Sequence, residues 1–410
     1  MELNIKNIGK IESANIKLDG ITVICGENNT GKSTIGKVLF SYFNSICDFE
    51  SKIKEQKITE IENCIIKYSS PAKVLVYLSD IDEDFNSFIS LDSNSVNIKD
   101  INSVICNYLD IKDKKSLSKD IYLILTMPNE DLLSEYIFRY FTDVFNGQVK
   151  TANMGAKQGI IKTIFKNGTN TINFLTTKCK LNQEVPIIHC AYYINNPFVV
   201  DYLNNASRLR MTILSELDRN IIDTIEKAQL EQDADKMSNI FDAVANKDKL
   251  GEIKKLLHRA YNGRTIRKNG LYFYNDGKND VDFRNLSTGL KSFALIEQLL
   301  ESGKLKSKDV LILDEPEIHL HPEWQLIYAE AIVLLQKEFD LTILITTHSP
   351  YFLEAIEVYS KKHDRKKVLN YYLAKNTSAG CSIIEEVTGE LNKIYEKMYS
   401  PLKRLEEEEI

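Results

Sequence analysis

The segment ITVIC (21–25) runs without a break into GENNTGKST (26–34) and then into IGKVLFSYFNSI, where Ile35, Val38, Leu39 and Phe43 recur at the spacing of one helix face. A strand that feeds a helix through a glycine turn is half of a parallel-sheet unit, which places this part of the chain in the α/β class. Two period-two segments, ELNIKNI and SANIKL, come before it, with Gly9, Asp19 and Gly20 marking the turns. All three read as strands.

The octapeptide 26–33 fits G-x-x-x-x-G-K-[ST]. Gly26 and Gly31 allow the backbone to approach phosphate closely, while the amides of Glu27, Asn28, Asn29 and Thr30 and the helix terminus that follows turn toward the anion. Lys32 is then the cation for the β and γ phosphates, Ser33 offers a hydroxyl to magnesium, and Thr34 is a further donor. ATP with Mg2+ is the ligand this pattern predicts.

Matching carboxylates stand much later in the chain. Val310, Leu311, Ile312 and Leu313 form an apolar run that closes on Asp314 and Glu315, as expected when a buried strand delivers acids to the carboxyl edge of a sheet. Asp314 is the expected magnesium ligand and Glu315 the general base for the attacking water. His348 ends the next strand, LTILITT, where a neutral imidazole reaches the γ phosphate or the water. His319 and His321, beside Glu317 in EIHLHPEW, have i, i+2 spacing before a proline, which suits a packing loop better than a metal site.

A second Ser-x-Gly turn, NLSTGLKS from Asn285, opens an apolar helix predicted to reach Leu300. The loop 26–33 already has its acid, base and histidine, so Ser287, Thr288 and Gly289 are redundant within one site. Two chains packed head to tail about a twofold axis would let each turn cap the γ phosphate held by the other. The expected assembly is a homodimer, or a higher even-numbered oligomer, bridged by ATP.

The organisation expected is an ATPase head in two parts, 1–196 and 263–375, interrupted by a helical insertion lobe at 197–262. A terminal strand and helix at 376–410 would be suited to docking or equally to flanking the core. Between 47 and 196 the pattern is mixed: a polar helix near 50–66, a strand-like KVLVYL, the helix DLLSEYIFRYFTDVF, and strands around GIIKTIF, NTINFL and PIIHCAYYI. Residues 199–261 hold no proline and only Gly251, which reads as two or three helices too irregular for a long coiled coil. GRTIRKNGLYFYNDG reads as a hairpin turning at Asn269 and Gly270, helices are expected over 322–339 and after Pro350, and ELNKIYEKMYSPLKRLEEE is an amphipathic helix interrupted at Pro401.

Composition bounds the partners. With 410 residues, 43% of them hydrophobic, the chain can build two or three cores, and a net charge of -6 argues against a polybasic binder. Two basic runs stand out: Lys247, Lys249, Lys254, Lys255, Arg259, Arg264, Arg267 and Lys268, then Lys361, Lys362, Arg365, Lys366 and Lys367. They fit solvated faces, with nucleic-acid phosphates as the alternative. Cys25, Cys47, Cys64, Cys106, Cys179, Cys190 and Cys381 form no C-x-x-C pair, and no stretch of eighteen apolar residues occurs. A cytoplasmic protein with reduced thiols and no membrane span is expected.

GENNTGKST, LSTGLKS, LILDEPEIHLHP and TTHSP, in this order, resemble the Walker A, signature, Walker B with D-loop, and H-loop motifs of ABC-type ATPases. The variety is similar to the structural-maintenance-of-chromosomes and overcoming-lysogenization-defect group. DEPEIHLHP and GENNTGKST resemble especially the bacterial antiphage ATPases of the Septu type and related stand-alone members. The resemblance implies an ABC-type P-loop head that hydrolyses ATP and controls a separately encoded nuclease or other toxic effector; the alternative is a DNA-repair or chromosome-maintenance ATPase. The signature differs from the transporter form, reading Leu286-Ser287-Thr288-Gly289-Leu290, and no glutamine marks a Q-loop, although 195–201 occupies a suitable place. After His348 no Glu followed by an Asp-x-Asp strand end occurs, so a Toprim nuclease is not expected.

Overall fold

The computed structural model describes residues 1–68, 97–108, 114–150, 158–204, 214–234, 250–260 and 263–408. KVLVYL lies outside them. The strands are β1 (Glu2–Ile8), β2 (Ile11–Lys17), β3 (Ile21–Gly26), β4 (Gly159–Phe165), β5 (Gly168–Phe174), β6 (Cys179–Asn182) and β7 (Ala191–Ile194). They continue with β8 (Arg264–Lys268), β9 (Leu271–Asn275), β10 (Asp280–Asp282), β11 (Val310–Asp314), β12 (Thr342–Thr347), β13 (Leu369–Asn376) and β14 (Ser382–Glu386).

Among the described residues, one sheet of 11 strands has the order β6-β5-β4-β1-β2-β14-β13-β3-β12-β11-β7. It is mixed: β1, β2, β4, β5 and β6 form an antiparallel meander, whereas β13, β3, β12, β11 and β7 run parallel. The parallel strands explain their own sequences. Every residue of β3 is buried, as is VLIL of β11, because strands covered on both faces have no solvated side to alternate toward. Thr22 tolerates this by donating its hydroxyl to Lys17 O at 3.0 Å.

The chain divides into two compact units, Met1–Asn44 with Tyr140–Ile410, and Ser45–Arg139. In the second unit, helices Phe49–Tyr68, Ile98–Tyr108 and Lys114–Thr126 each bury a stripe at four-residue spacing: Ile61 and Ile65, Ile101 and Ile105, and Leu117, Ile121 and Leu125. The helices read from 199–261, in their described parts Glu216–Ala234 and 250–257, belong instead to the first unit. Their Ile221, Ile222, Ile225, Ile253 and Leu257 share one apolar cluster with Leu311, Ile343 and Phe293.

Other expectations shift in detail. Residues 186–190 are not strand, and β7 begins at Ala191. The hairpin β8 to β9 turns at Asn269 and Gly270 with φ of 52° and 80°, and β10 adds a third strand. Pro401 does not interrupt the last helix, which runs Asn392–Glu408. The Lys397 carbonyl, which a proline at 401 leaves without its amide donor, accepts the Ser400 hydroxyl at 3.0 Å. Among the described residues no helix is long and apolar enough to cross a membrane.

Candidate nucleotide site

β3 ends at Gly26, and the helix Lys32–Ile46 begins six residues later. Glycine is required at both ends of the loop. Gly31 has φ of 80° and a Cβ there would lie 2.6 Å from Ile11 Cδ1, while Gly26 has φ of 154° and its Cβ would meet Ala374 O at 2.8 Å. Asn29 takes the left-handed region at φ 59°, and the Thr30 hydroxyl donates to Glu27 O at 2.7 Å. Lys10 donates to Asn29 O. Lys32 is buried and folds back over the loop, donating to Gly26 O at 2.9 Å and Glu27 O at 3.0 Å. A glycine-bounded loop at a helix N-terminus, with an ammonium folded over it, is suited to cradle an anion.

The acids arrive from β11. Glu315 lies in the left-handed region at φ 51°, a conformation that costs about 1–3 kcal/mol for a residue with a side chain. Its amide is pinned by Thr346, donating to the carbonyl at 3.0 Å and to the hydroxyl oxygen at 3.2 Å. The turn brings Glu315 Oε1 to 3.4 Å from Lys32 Nζ and 3.3 Å from His348 Nδ1. Three of the residues singled out from the sequence thus meet at one carboxylate.

Asp314 is held at both oxygens. The Tyr193 hydroxyl donates to Oδ2 at 2.7 Å and the Thr346 hydroxyl to Oδ1. Burial, with Asp314 adding to it, raises the Tyr193 pKa well above the ordinary phenol value, which keeps the hydroxyl a donor. The Ser33 side chain lies beside the same hydroxyl. A serine hydroxyl and a carboxylate converging in this way are hard oxygen donors, the set that suits Mg2+.

Next along the chain, Glu317 is 3% exposed and accepts from the Thr347 hydroxyl and, at 3.3 Å, from the His348 amide. Burial pushes its carboxyl up, and Oε2 has no hydrogen-bond partner among the described residues. The sequence TTH therefore fixes two acids: Thr346 takes Asp314 and Thr347 takes Glu317. His321 is the N-cap of the helix Pro322–Phe339, its Nδ1 accepting from the Glu323 amide at 3.4 Å, and His319 packs edge-on to Phe198.

Ser287 sits before the helix Thr288–Glu301 as N-cap, exposed, and its hydroxyl makes no capping bond to that helix. Gly289 is where the helix meets its neighbour: a Cβ would stand 2.9 Å from the Trp324 ring and 3.2 Å from His319 O. Buried Lys291 clamps the same helix to 195–201, donating to Asp201 at 2.7 Å with its ammonium 4.9 Å from the Phe198 ring centre. Neither Lys291 nor Tyr193 was flagged by the sequence.

The chain aligns over 94% of its length with the SMC head domain from Thermotoga maritima, covering 98% of that chain at 13% identity and a TM-score of 0.41. It aligns over 97% with the Smc head domain with an extended coiled coil bound to the C-terminal domain of ScpA derived from Pyrococcus furiosus, covering 99% at 10% identity and a TM-score of 0.45. The Septu protein PtuA of Bacillus thuringiensis is 23% identical over 371 residues, 87% of this chain and 73% of that protein. Residues 1–353, which include the phosphate loop, both acids and His348, match the profile of the AAA ATPase domain, and the chain belongs to that family of ATPases.

Proposed function

We propose that the chain is the ATP-hydrolysing, dimerising switch of a two-component antiphage system, whose effector is a separately encoded nuclease or other toxin. In this reading the ATPase head is formed by 1–196 and 263–375 with 197–262 as its helical lobe, and 376–410 is the docking segment. Asp314 and Ser33 hold Mg2+, which when bound neutralises phosphate charge. Glu315 accepts the proton of the attacking water, and Lys32 and His348 stabilise charge on the phosphate.

The observation that carries the switch is at Ser287. An exposed N-cap hydroxyl makes no bond to its own helix, which leaves it and the helix amides available to an anion presented from outside. A γ phosphate held by a second copy is such an anion, so Ser287, Thr288 and Gly289 act in trans. The docking segment has its own link to the phosphate loop: Lys397, on the helix Asn392–Glu408, lies 3.4 Å from Glu27.

A protein effector is favoured over DNA as the partner, and four cations of the basic runs are already paired with carboxylates of the chain. Lys254 pairs with Glu301, Lys361 with Glu357 and Lys362 with Glu330, each at 2.6 Å, and Lys268 pairs with Asp280. Similarity to a Septu protein agrees with this choice.

Glu315→Gln tests the reading, since it removes the base and keeps the carboxylate's size. Hydrolysis should fall about 10²- to 10⁴-fold while ATP binding persists, and native mass spectrometry with magnesium ATP should show a dimer, carrying the neighbouring gene's product when the two are expressed together. Wild-type turnover in that variant refutes the base assignment. A monomer with and without ATP refutes the role of Ser287 in trans, and a dimer that retains DNA instead of a second polypeptide refutes the effector reading.

A further inference from the structure

The hydroxyl of Tyr193 occupies a position that the phosphate loop and the acidic strand do not explain by themselves. In the sheet register Tyr193 pairs with Ile312, two residues before Asp314, so Tyr193, Ile312 and Asp314 share one face. The helix Lys32–Ile46 covers that face, and the contact is tight enough that a Cβ on Gly36 would lie 2.8 Å from the Tyr193 ring and 3.0 Å from Ile312 Cγ2. Phe40 packs edge-on against the ring one turn further along. The ring is therefore wedged between strand and helix, and its hydroxyl can point only toward the helix start and the strand end. There it meets Ser33 and, at 2.7 Å, Asp314 Oδ2.

We propose that Tyr193 is a positioning residue for the divalent cation of the phosphate site, a proposal that rests on Ser33 and Asp314 being the cation's protein partners. One rigid hydroxyl bonded to Asp314 Oδ2 and lying beside Ser33 sets the place of the carboxylate before a cation arrives. With Thr346 on Oδ1, it also fixes which lone pairs of Asp314 remain free. Removing a hydrogen-bond partner of a metal ligand lowers metal affinity about 10- to 100-fold. The hydroxyl's loss should thus be felt in cation binding and not in nucleotide binding without metal, for which the loop and Lys32 suffice.

The test is a Mn2+ titration by electron paramagnetic resonance, with a non-hydrolysable ATP analogue present, on wild type, Tyr193→Phe and Asp314→Asn. Analogue affinity in EDTA and the melting midpoint are measured alongside. Phe keeps the ring contacts with Phe40 and Gly36. The expected result is Mn2+ affinity at least about 10-fold weaker in Tyr193→Phe, with analogue affinity in EDTA unchanged. Unchanged Mn2+ affinity in Tyr193→Phe, with Asp314→Asn weakened, overturns the proposal and leaves the site assignment standing. No effect of Asp314→Asn overturns the assignment beneath it. An equal loss of analogue affinity with and without metal in Tyr193→Phe marks a packing role and also overturns the proposal.

Discussion

Gly36→Ala separates two effects of one methyl group. In an open helix the change would gain about 1 kcal/mol, since alanine loses less backbone entropy than glycine. Here the methyl would stand 2.8 Å from Tyr193 Cε2 and 3.0 Å from Ile312 Cγ2, side chains that are 2% and 0% exposed. Neither can swing away, because the ring is pressed between strand and helix. Overpacking of this kind costs about 1–3 kcal/mol, so the net runs from near zero to about 2 kcal/mol against folding. Gly251, in the helix 250–257, has nothing described within 4 Å of its Cβ, so Gly251→Ala keeps whatever gain the helix provides. Thermal melts of the two variants should move in different directions, with Gly36→Ala lower by up to about 2 °C, at about 1 °C per kcal/mol for a chain of 410 residues. A Gly36→Ala protein that melts above wild type would show that the helix has room at this face, and the account of Tyr193 as wedged would fail with it.

Two further substitutions probe polar groups away from the phosphate loop. Asp282, which opens the short turn before Leu286, has its carboxyl held far below the usual range, first by the Arg284 side chain, with the Arg284 amide and Asn204 adding further bonds. A depressed folded pKa adds stability that is present above the unfolded value near 4 and is lost as pH falls through the folded one. Asp282→Asn should therefore flatten the acid limb of a stability profile taken from pH 5 downward, and an unchanged slope would contradict the assignment. Asn170 is 0% exposed and fully bonded, accepting from the amides of Glu184 and Val185 and donating to Tyr42 Oη and Val185 O. Asn170→Ala strands several buried groups at about 1–3 kcal/mol each, so the denaturant midpoint should fall clearly with the slope unchanged.

The sequence carried the phosphate site because its signals are local. Gly26, Gly31 and Lys32 sit on one turn, and VLILDE and ITTH each show an apolar run ending in the group it delivers. Meeting of Lys32, Glu315 and His348 followed from strand ends alone. Tyr193 gave no such signal: in AYYI it is one aromatic in a fully buried strand, and what distinguishes it is pairing with Ile312, a partner fixed by long-range register. The compact unit Ser45–Arg139 was hidden for a related reason. Its helices, like those of 199–261, carry isoleucines among charged residues, and which core those isoleucines enter separates the two sets.

Register also explains why chemistry and stability are hard to separate in this sheet. β3, β12, β11 and β7 are adjacent and parallel, so their carboxyl ends lie side by side, roughly 4.8 Å apart. They present, in order, the phosphate loop, the Thr346, Thr347 and His348 segment, the two acids, and the strand end that carries Tyr193. A one-residue slip of β11 would turn Asp314 to the opposite face and put Leu313 or Glu315 in its place. The bond from Thr346 to Asp314 joins residues that are direct partners across β12 and β11, and the Tyr193 bond reaches the same carboxylate from the other side. Two donors from two strands thus accept only one register of the third. The contacts that orient the carboxylate also hold the strand, so substitutions at Thr346 or Tyr193 should lower cation affinity and the cooperativity of unfolding together, whereas loss of His348, half exposed at the rim, should affect turnover alone.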